Sequence, residues 1–177
     1  MNRKIVKVGE RVLCAIFDTF MYTAEGLAKS FDRKEAYKII SGNFDFGIGR
    51  TGLSKCFYEL ERRGYIEKNS SDQQSFRFTD KAKLAIVDKI VSIQNDQGTI
   101  MFVSFDIPEC LHRNRDLFRR SIKKMGFRQI QKSLWVCNKN VGNFIDISAK
   151  EYKVSDYIVY IASKSTNIDN YIAKILG

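Results

Sequence analysis

The sequence predicts an α+β protein of two domains. An N-terminal winged helix-turn-helix spans residues 1–95, and a ferredoxin-like α/β sandwich spans residues 96–177. Three observations predict it. The first half reads as three helices, a two-stranded hairpin and a further helix. The second reads strand, helix, strand, helix, strand. Between them lies the short polar run "QNDQG" (Gln94 to Gly98), the place for a domain boundary. At 177 residues the chain is long enough for two small cores.

The first helix is expected from about Val8 to Tyr22, because Val8, Val12, Ile16 and Phe20 recur at helical spacing. A second is expected over about Arg33 to Ser41. The glycine-rich "GNFDFGIG" then breaks the pattern, and Thr51 is a candidate N-cap for a third helix that runs to about Arg63. Leu53, Phe57 and Leu60 share one face of it, and Gly64 is placed to end it in a left-handed turn. "YIEKNSSDQQSFRFT" follows as two alternating strands around a polar tip. Thr79 or Asp80 caps a helix through "KAKLAIVDKIVSI", with Leu84, Val87 and Val91 on its apolar stripe.

In the second half, Thr99 to Asp106 is an apolar strand ending in an acid. Pro108 suits the first turn of a helix, where its missing N–H costs nothing. That helix runs to about Met125. It places Leu111, Phe118, Ile122 and Met125 inward, and Arg113, Arg115, Arg119, Arg120, Lys123 and Lys124 on the other side. Gly126 ends it. "FRQIQKSLWVC" is extended with a bend near Lys132, "NFIDISAKEY" is helical, "DYIVYIAS" is a strand and "NIDNYIAKIL" a closing helix.

Composition narrows the function classes. Thirty Lys and Arg against twenty Asp and Glu give a net charge of +10. Residues 1–95 carry 17 basic and 12 acidic groups, and residues 96–177 carry 13 and 8, so each half contributes +5. Charge spread over both halves suits a polyanion such as double-stranded DNA rather than a detachable basic tail. No apolar run approaches the roughly 18 to 20 residues of a membrane span, so no membrane partner is expected. Glu10, Arg11 and Asp18 interrupt the N-terminal apolar residues, which reads as a core helix of a cytoplasmic protein rather than an export signal. Cys14, Cys56, Cys110 and Cys137 form no CxxC pair, and the single histidine, His112, has no cysteine at ligand spacing, which argues against zinc.

The third helix followed by the hairpin is the candidate DNA reader. Away from its apolar face it offers Arg50, Thr51, Ser54, Lys55, Tyr58 and Arg62, groups that reach phosphates and base edges. Asn69 and Gln73 lie in the candidate wing tip. Asp106 could hold a metal, but magnesium chemistry on phosphodiesters usually needs several carboxylates. Its nearest acids have other tasks: Glu109 faces a helix start and Asp116 lies among arginines. Two residues before Pro108, Asp106 is expected instead to accept backbone N–H bonds from the turn that opens the helix.

"VSFDIPE", "RDLFRRSIKKMGFRQIQKSLWV" and "VSDYIVYIAS" form one ordered set. Together they resemble the central domain of the phenylacetic-acid-catabolon repressor (PaaX) family, which is itself similar to the small CRISPR-associated ferredoxin-like endonuclease family. "RTGLSKCFYELERRGYIEK" is similar to the reader helix and first wing strand of the repressors. The resemblance implies a homodimer, paired through its ferredoxin-like domains, that places two winged helices on a two-fold DNA site. The expected function is therefore a dimeric transcription regulator, a repressor, with no enzymatic activity, no cofactor and no small-molecule inducer identified. The alternatives are a CRISPR-associated endonuclease that holds Mg2+ at Asp106, or a non-catalytic subunit of an adaptation complex whose basic helix follows DNA phosphates.

Overall fold

A computed structural model describes residues 11–17, 31–43, 50–70, 74–93 and 98–177. The chain mixes helix and sheet in the α+β manner and divides into two units, Met1–Ile86 and Val87–Gly177. The division falls earlier than the polar run at Gln94 to Gly98, most of which lies outside the described residues. It coincides with a break the sequence pattern did not reveal. Ile86 leaves helical geometry at φ −115° and ψ 20°, so the single helix expected there is two short ones, α4 (Asp80–Ala85) and α5 (Val87–Ser92).

In the first unit, residues 11–17 form helix α1, and Val12, Leu13, Ala15, Ile16 and Phe17 are buried. The rest of the expected first helix lies outside the described residues. A two-residue strand, β1 (Phe31–Asp32), precedes helix α2 (Arg33–Asn43). The Asp32 carboxylate accepts the backbone N–H groups of Lys34 at 2.6 Å and Glu35 at 3.0 Å, which caps α2. Helix α3 (Arg50–Arg62) buries Leu53, Cys56, Phe57 and Leu60. Tyr37 of α2 stacks on Phe57 with centroids 4.9 Å apart.

Strands β2 (Ile66–Lys68) and β3 (Ser75–Phe78) pair antiparallel, with Ile66 opposite Phe78 and Lys68 opposite Phe76. β1 adds to the far side of β3, giving the order β1-β3-β2. The sequence reading missed β1. Two residues carry no alternation, and the pairing of Phe31 with Phe76 is a long-range event. Thr79 is the cap of α4. Its hydroxyl oxygen accepts from Ala82 N–H at 3.3 Å and donates to the carbonyl of Gly64 at 2.6 Å.

The second unit carries a four-stranded antiparallel sheet. Its strands are β4 (Ile100–Phe105), β5 (Arg128–Gln129), β6 (Leu134–Cys137) and β7 (Ile158–Ser163), in the order β5-β6-β4-β7. β4 is central: Val103 faces Trp135 on one side and Tyr160 on the other. Met101, Val103 and Phe105 are buried and alternate with half-buried Phe102 and Ser104, the period of a strand with one better-covered face.

Helix α6 (His112–Lys124) crosses between β4 and β5, and α7 (Gly142–Glu151) between β6 and β7. Helix α8 (Asp169–Leu176) follows β7. Phe118 of α6 meets Phe105 edge-on with centroids at 5.3 Å, and Phe105 lies 6.4 Å from the Trp135 ring. Trp135 is thus a core side chain, 2% exposed. The expected bend near Lys132 is the turn between β5 and β6, closed by Leu134 N–H to the Gln131 carbonyl at 3.2 Å.

Three helices end in the same closure. After α3, Gly64 N–H reaches the Glu61 carbonyl at 2.9 Å and Tyr65 N–H that of Leu60 at 2.8 Å. After α6, Gly126 bonds Lys123 and Phe127 bonds Ile122, both at 3.1 Å. After α7, Lys153 bonds Lys150 at 3.1 Å and Val154 bonds Ala149 at 2.9 Å. This Schellman pattern needs a left-handed residue at its centre. Gly64 and Gly126 adopt it at φ 70° and 91°, whereas the third position is a lysine at φ 55°.

Candidate nucleic-acid interface

The candidate reader is built by α3. Its inward residues Leu53, Phe57 and Leu60 anchor the helix, and the residues at positions 51, 54, 55, 58 and 62 therefore share the outward face. Thr51, Ser54, Lys55, Tyr58 and Arg62 are all exposed there, Tyr58 by 61%. Thr51 lies inside the first turn and does not cap it, because helical geometry already begins at Arg50. The Arg50 backbone opens the helix; its side chain lies outside the described residues.

One member of this face is engaged within the protein. Arg62 Nε donates to Glu59 Oε1 at 3.1 Å and its Nη2 to Oε2 at 2.8 Å, a two-pronged grip. Arg63 Nε stands 3.4 Å from the same carboxylate. The hydrogen bond to Arg62, with both guanidinium charges, holds the Glu59 carboxyl below the usual range, and the same bond raises Arg62. Glu59 did not figure among the sequence candidates, although its i,i+3 spacing to Arg62 was the available signal.

The hairpin after α3 is short. Asn69 N–H donates to the Ser75 carbonyl at 2.9 Å, which continues the ladder one step past β2; the Asn69 residue is half-buried. Gln73 lies outside the described residues, as do Ser71 and Asp72. Cross-strand Glu67 and Arg77 pair at 2.8 Å, and Lys68 is exposed. Lys81 Nζ donates to the Arg63 carbonyl at 3.0 Å and lies 5.2 Å from the Tyr65 ring centre, so a cation covers the C-terminal end of α3.

Asp106 ends β4, and the expectation that it caps the following helix is corrected. Its backbone N–H bonds the Tyr157 carbonyl at 3.0 Å, but its side chain is exposed and bonds no described residue. The reason is the path of the chain. Pro108, at φ −55° and ψ 151°, leads into a 3-10 turn (Glu109–Leu111) before α6 begins, and neither the turn nor α6 has a side-chain cap. The acids near it differ from expectation too. Glu109 pairs with Arg115 at 2.9 Å, while Asp116 makes no ion pair among the described residues. Among the described residues no three His, Cys, Asp or Glu side chains converge as metal ligands, and a lone carboxylate does not suit Mg2+.

Helix α6 carries a second cationic face. Arg119 and Lys123 each lie 5.7 Å from the Trp135 ring centre, on the shoulder where the helix meets the sheet. Arg113, Arg120 and Lys124 are exposed. At the sheet edge, β7 exposes Val159, Tyr160 and Ile161, by 62%, 39% and 59%. The Tyr160 hydroxyl donates to Asp146 Oδ2 of α7 at 3.0 Å, and that bond raises the phenol above its ordinary value. No described helix is long and apolar enough to cross a membrane.

Residues 95–173 match the family model described as the PaaX protein central Cas2-like domain. No curated protein and no solved structure matches the chain.

Proposed function

We propose, starting from the match of residues 95–173 to the model of the PaaX protein central Cas2-like domain, that the chain is a dimeric, DNA-binding transcription regulator acting as a repressor. The observation that carries the reading is the two-sided character of α3. One side is locked into a core by Leu53, Phe57 and Leu60, while Thr51, Ser54, Lys55, Tyr58 and Arg62 stand outward. The helix order, the hairpin that follows α3, and the sheet order β1-β3-β2 support a winged helix in which α3 enters the major groove. The order β5-β6-β4-β7, with helices between β4 and β5 and between β6 and β7, supports a ferredoxin-like second domain.

The homodimer is proposed through the second unit. Strand β7 offers an open edge and exposed Val159 and Ile161, a surface that another sheet can cover. Two protomers would then present two reader helices to a two-fold site, which a single helix cannot discriminate well. In this reading Asp106 has no catalytic task and the protein is not an enzyme.

The test is a footprint of the purified protein over its own upstream DNA, repeated with Lys55, Tyr58 and Arg62 replaced together by alanine. A protected two-fold site that the triple variant loses is the expected result. Binding unchanged in that variant refutes the reader assignment. Magnesium-dependent cleavage that disappears in Asp106→Asn, with the fold intact by circular dichroism, refutes the non-enzymatic reading.

A further inference from the structure

The outward face of α3 holds two cations, Lys55 and Arg62, in different states. Lys55 is exposed and makes no ion pair among the described residues. Arg62 has a side chain that is 52% exposed, yet its Nε and Nη2 are occupied by the Glu59 carboxylate at 3.1 and 2.8 Å. Glu59 is half-buried, at the margin between outward Tyr58 and buried Leu60. Arg63 Nε stands 3.4 Å from the same Oε2, so the carboxylate has a second anchor besides Arg62.

A guanidinium carries five N–H donors in one plane. Glu59 takes the one on Nε and one on Nη2. The outer hydrogen of Nη2 and its neighbour on Nη1 stay available, and they point together from the end of the side chain as a second fork. Held from the side, Arg62 still offers this two-pronged end, and the carboxylate fixes the plane of the fork.

Duplex DNA has two kinds of paired acceptor for it: two phosphate oxygens, or O6 and N7 of guanine in the major groove. The neighbouring charge separates them. Glu59 repels a phosphate that approaches Arg62, and it cancels one of the two arginine charges. Guanine is neutral and meets no such repulsion. The other bases present a donor beside the acceptor, a donor alone or a single acceptor, so the fork fits none of them.

We propose that Arg62 determines specificity by reading one guanine in each half-site, and that Glu59 is the positioning residue that presents its fork, while unpaired Lys55 takes a phosphate. This rests on α3 being the reader helix, and the test separates the two.

The full chain is used to select a high-affinity duplex from a randomised pool. Binding to that duplex and to every single base-pair change in one half-site is then measured. At one guanine, replacement should weaken wild-type binding by roughly 5- to 150-fold, and exchange for 7-deazaguanine, which lacks the N7 acceptor, should also weaken it. Arg62→Ala should be indifferent to both changes, with its other base preferences and its salt slope kept, whereas Lys55→Ala should lower the slope of log K against log salt by about 0.9. Glu59→Gln should cut the preference for that guanine by roughly 2- to 12-fold, the cost of ordering one long side chain. Glu59→Asp should keep more of the preference. In an Arg62→Ala background, Glu59→Gln should not change it further. Wild-type preferences in Arg62→Ala overturn the proposal. So does a loss uniform over all duplexes with a slope lower by about 0.9, which makes Arg62 a phosphate contact and leaves the reader assignment standing. A Glu59→Gln effect on base preference that persists without Arg62 overturns the positioning role. Unchanged binding after Lys55→Ala with Tyr58→Ala removes the reader assignment and the proposal with it.

Discussion

Replacing Lys153 by glycine should stabilise the second unit. Lys153 closes α7 at φ 55°, in the position that Gly64 and Gly126 occupy after α3 and α6. Its backbone bonds are as short as theirs, so the closure itself is sound. What differs is the Cβ, which in the left-handed region crowds the following carbonyl at a cost of about 1 to 2 kcal/mol. Glycine removes that cost but gives the unfolded chain more freedom, worth roughly 0.5 to 1 kcal/mol against it. The net gain should be about 0.5 to 1 kcal/mol.

Gly126→Ala is the mirror experiment. Its new Cβ would lie 3.6 Å from Cys137 Sγ, an ordinary contact, so the loss should be the same backbone cost of about 0.5 to 1 kcal/mol with little added clash. Trp135 is the only tryptophan and is buried in the second unit, so its emission during urea unfolding reports on that unit. The midpoint should rise for Lys153→Gly and fall for Gly126→Ala at unchanged m-value. In melting temperature the shift should be about 2 to 8 °C for a unit of this size. Lys153→Ala is the control: it keeps the Cβ and loses only the charge, so it should match the wild type. A lowered midpoint for Lys153→Gly, or a rise for Lys153→Ala equal to that for glycine, would refute the backbone explanation.

Glu59→Gln should leave Arg62 without its two-pronged support, and discrimination between duplex sequences should fall more than affinity does. The same support should be present above the ordinary glutamate range near pH 4.3 and be lost as pH falls through the lower folded value, which an NMR titration of the Glu59 carboxyl would follow. Tyr160→Phe should remove the bond to Asp146 at a cost near the low end of about 0.5 to 1.5 kcal/mol, since the pair is largely exposed. Because that bond raises the phenol, the wild-type contribution is complete below about pH 10 and lost as pH rises through the higher folded value; the pH dependence of the urea midpoint should flatten there in the variant. Val159→Lys with Ile161→Lys should turn a dimer into a monomer by light scattering, and a dimer that survives both changes would place the interface elsewhere.

Much of the local structure was legible in the sequence because it depends on neighbours a few residues apart. The stripe of Leu53, Phe57 and Leu60, the glycines that end α3 and α6, and the Thr79 cap all rest on spacing or single-residue backbone preference. The outward set on α3 followed from the same arithmetic: once the inward residues are known, the rest of the helix must face away. Tertiary structure alone decided what depends on partners far along the chain. The two-residue β1 exists only because β3 pairs with it, and Ile86 breaks a stretch whose apolar period runs on without interruption. The part played by each charge was equally invisible in sequence. Glu109 rather than Asp116 holds an arginine, and Asp106 caps nothing, because these outcomes turn on side-chain distances that spacing does not determine. Trp135 reached the core only when β6 was laid beside β4 beneath α6, a placement that long-range strand pairing creates.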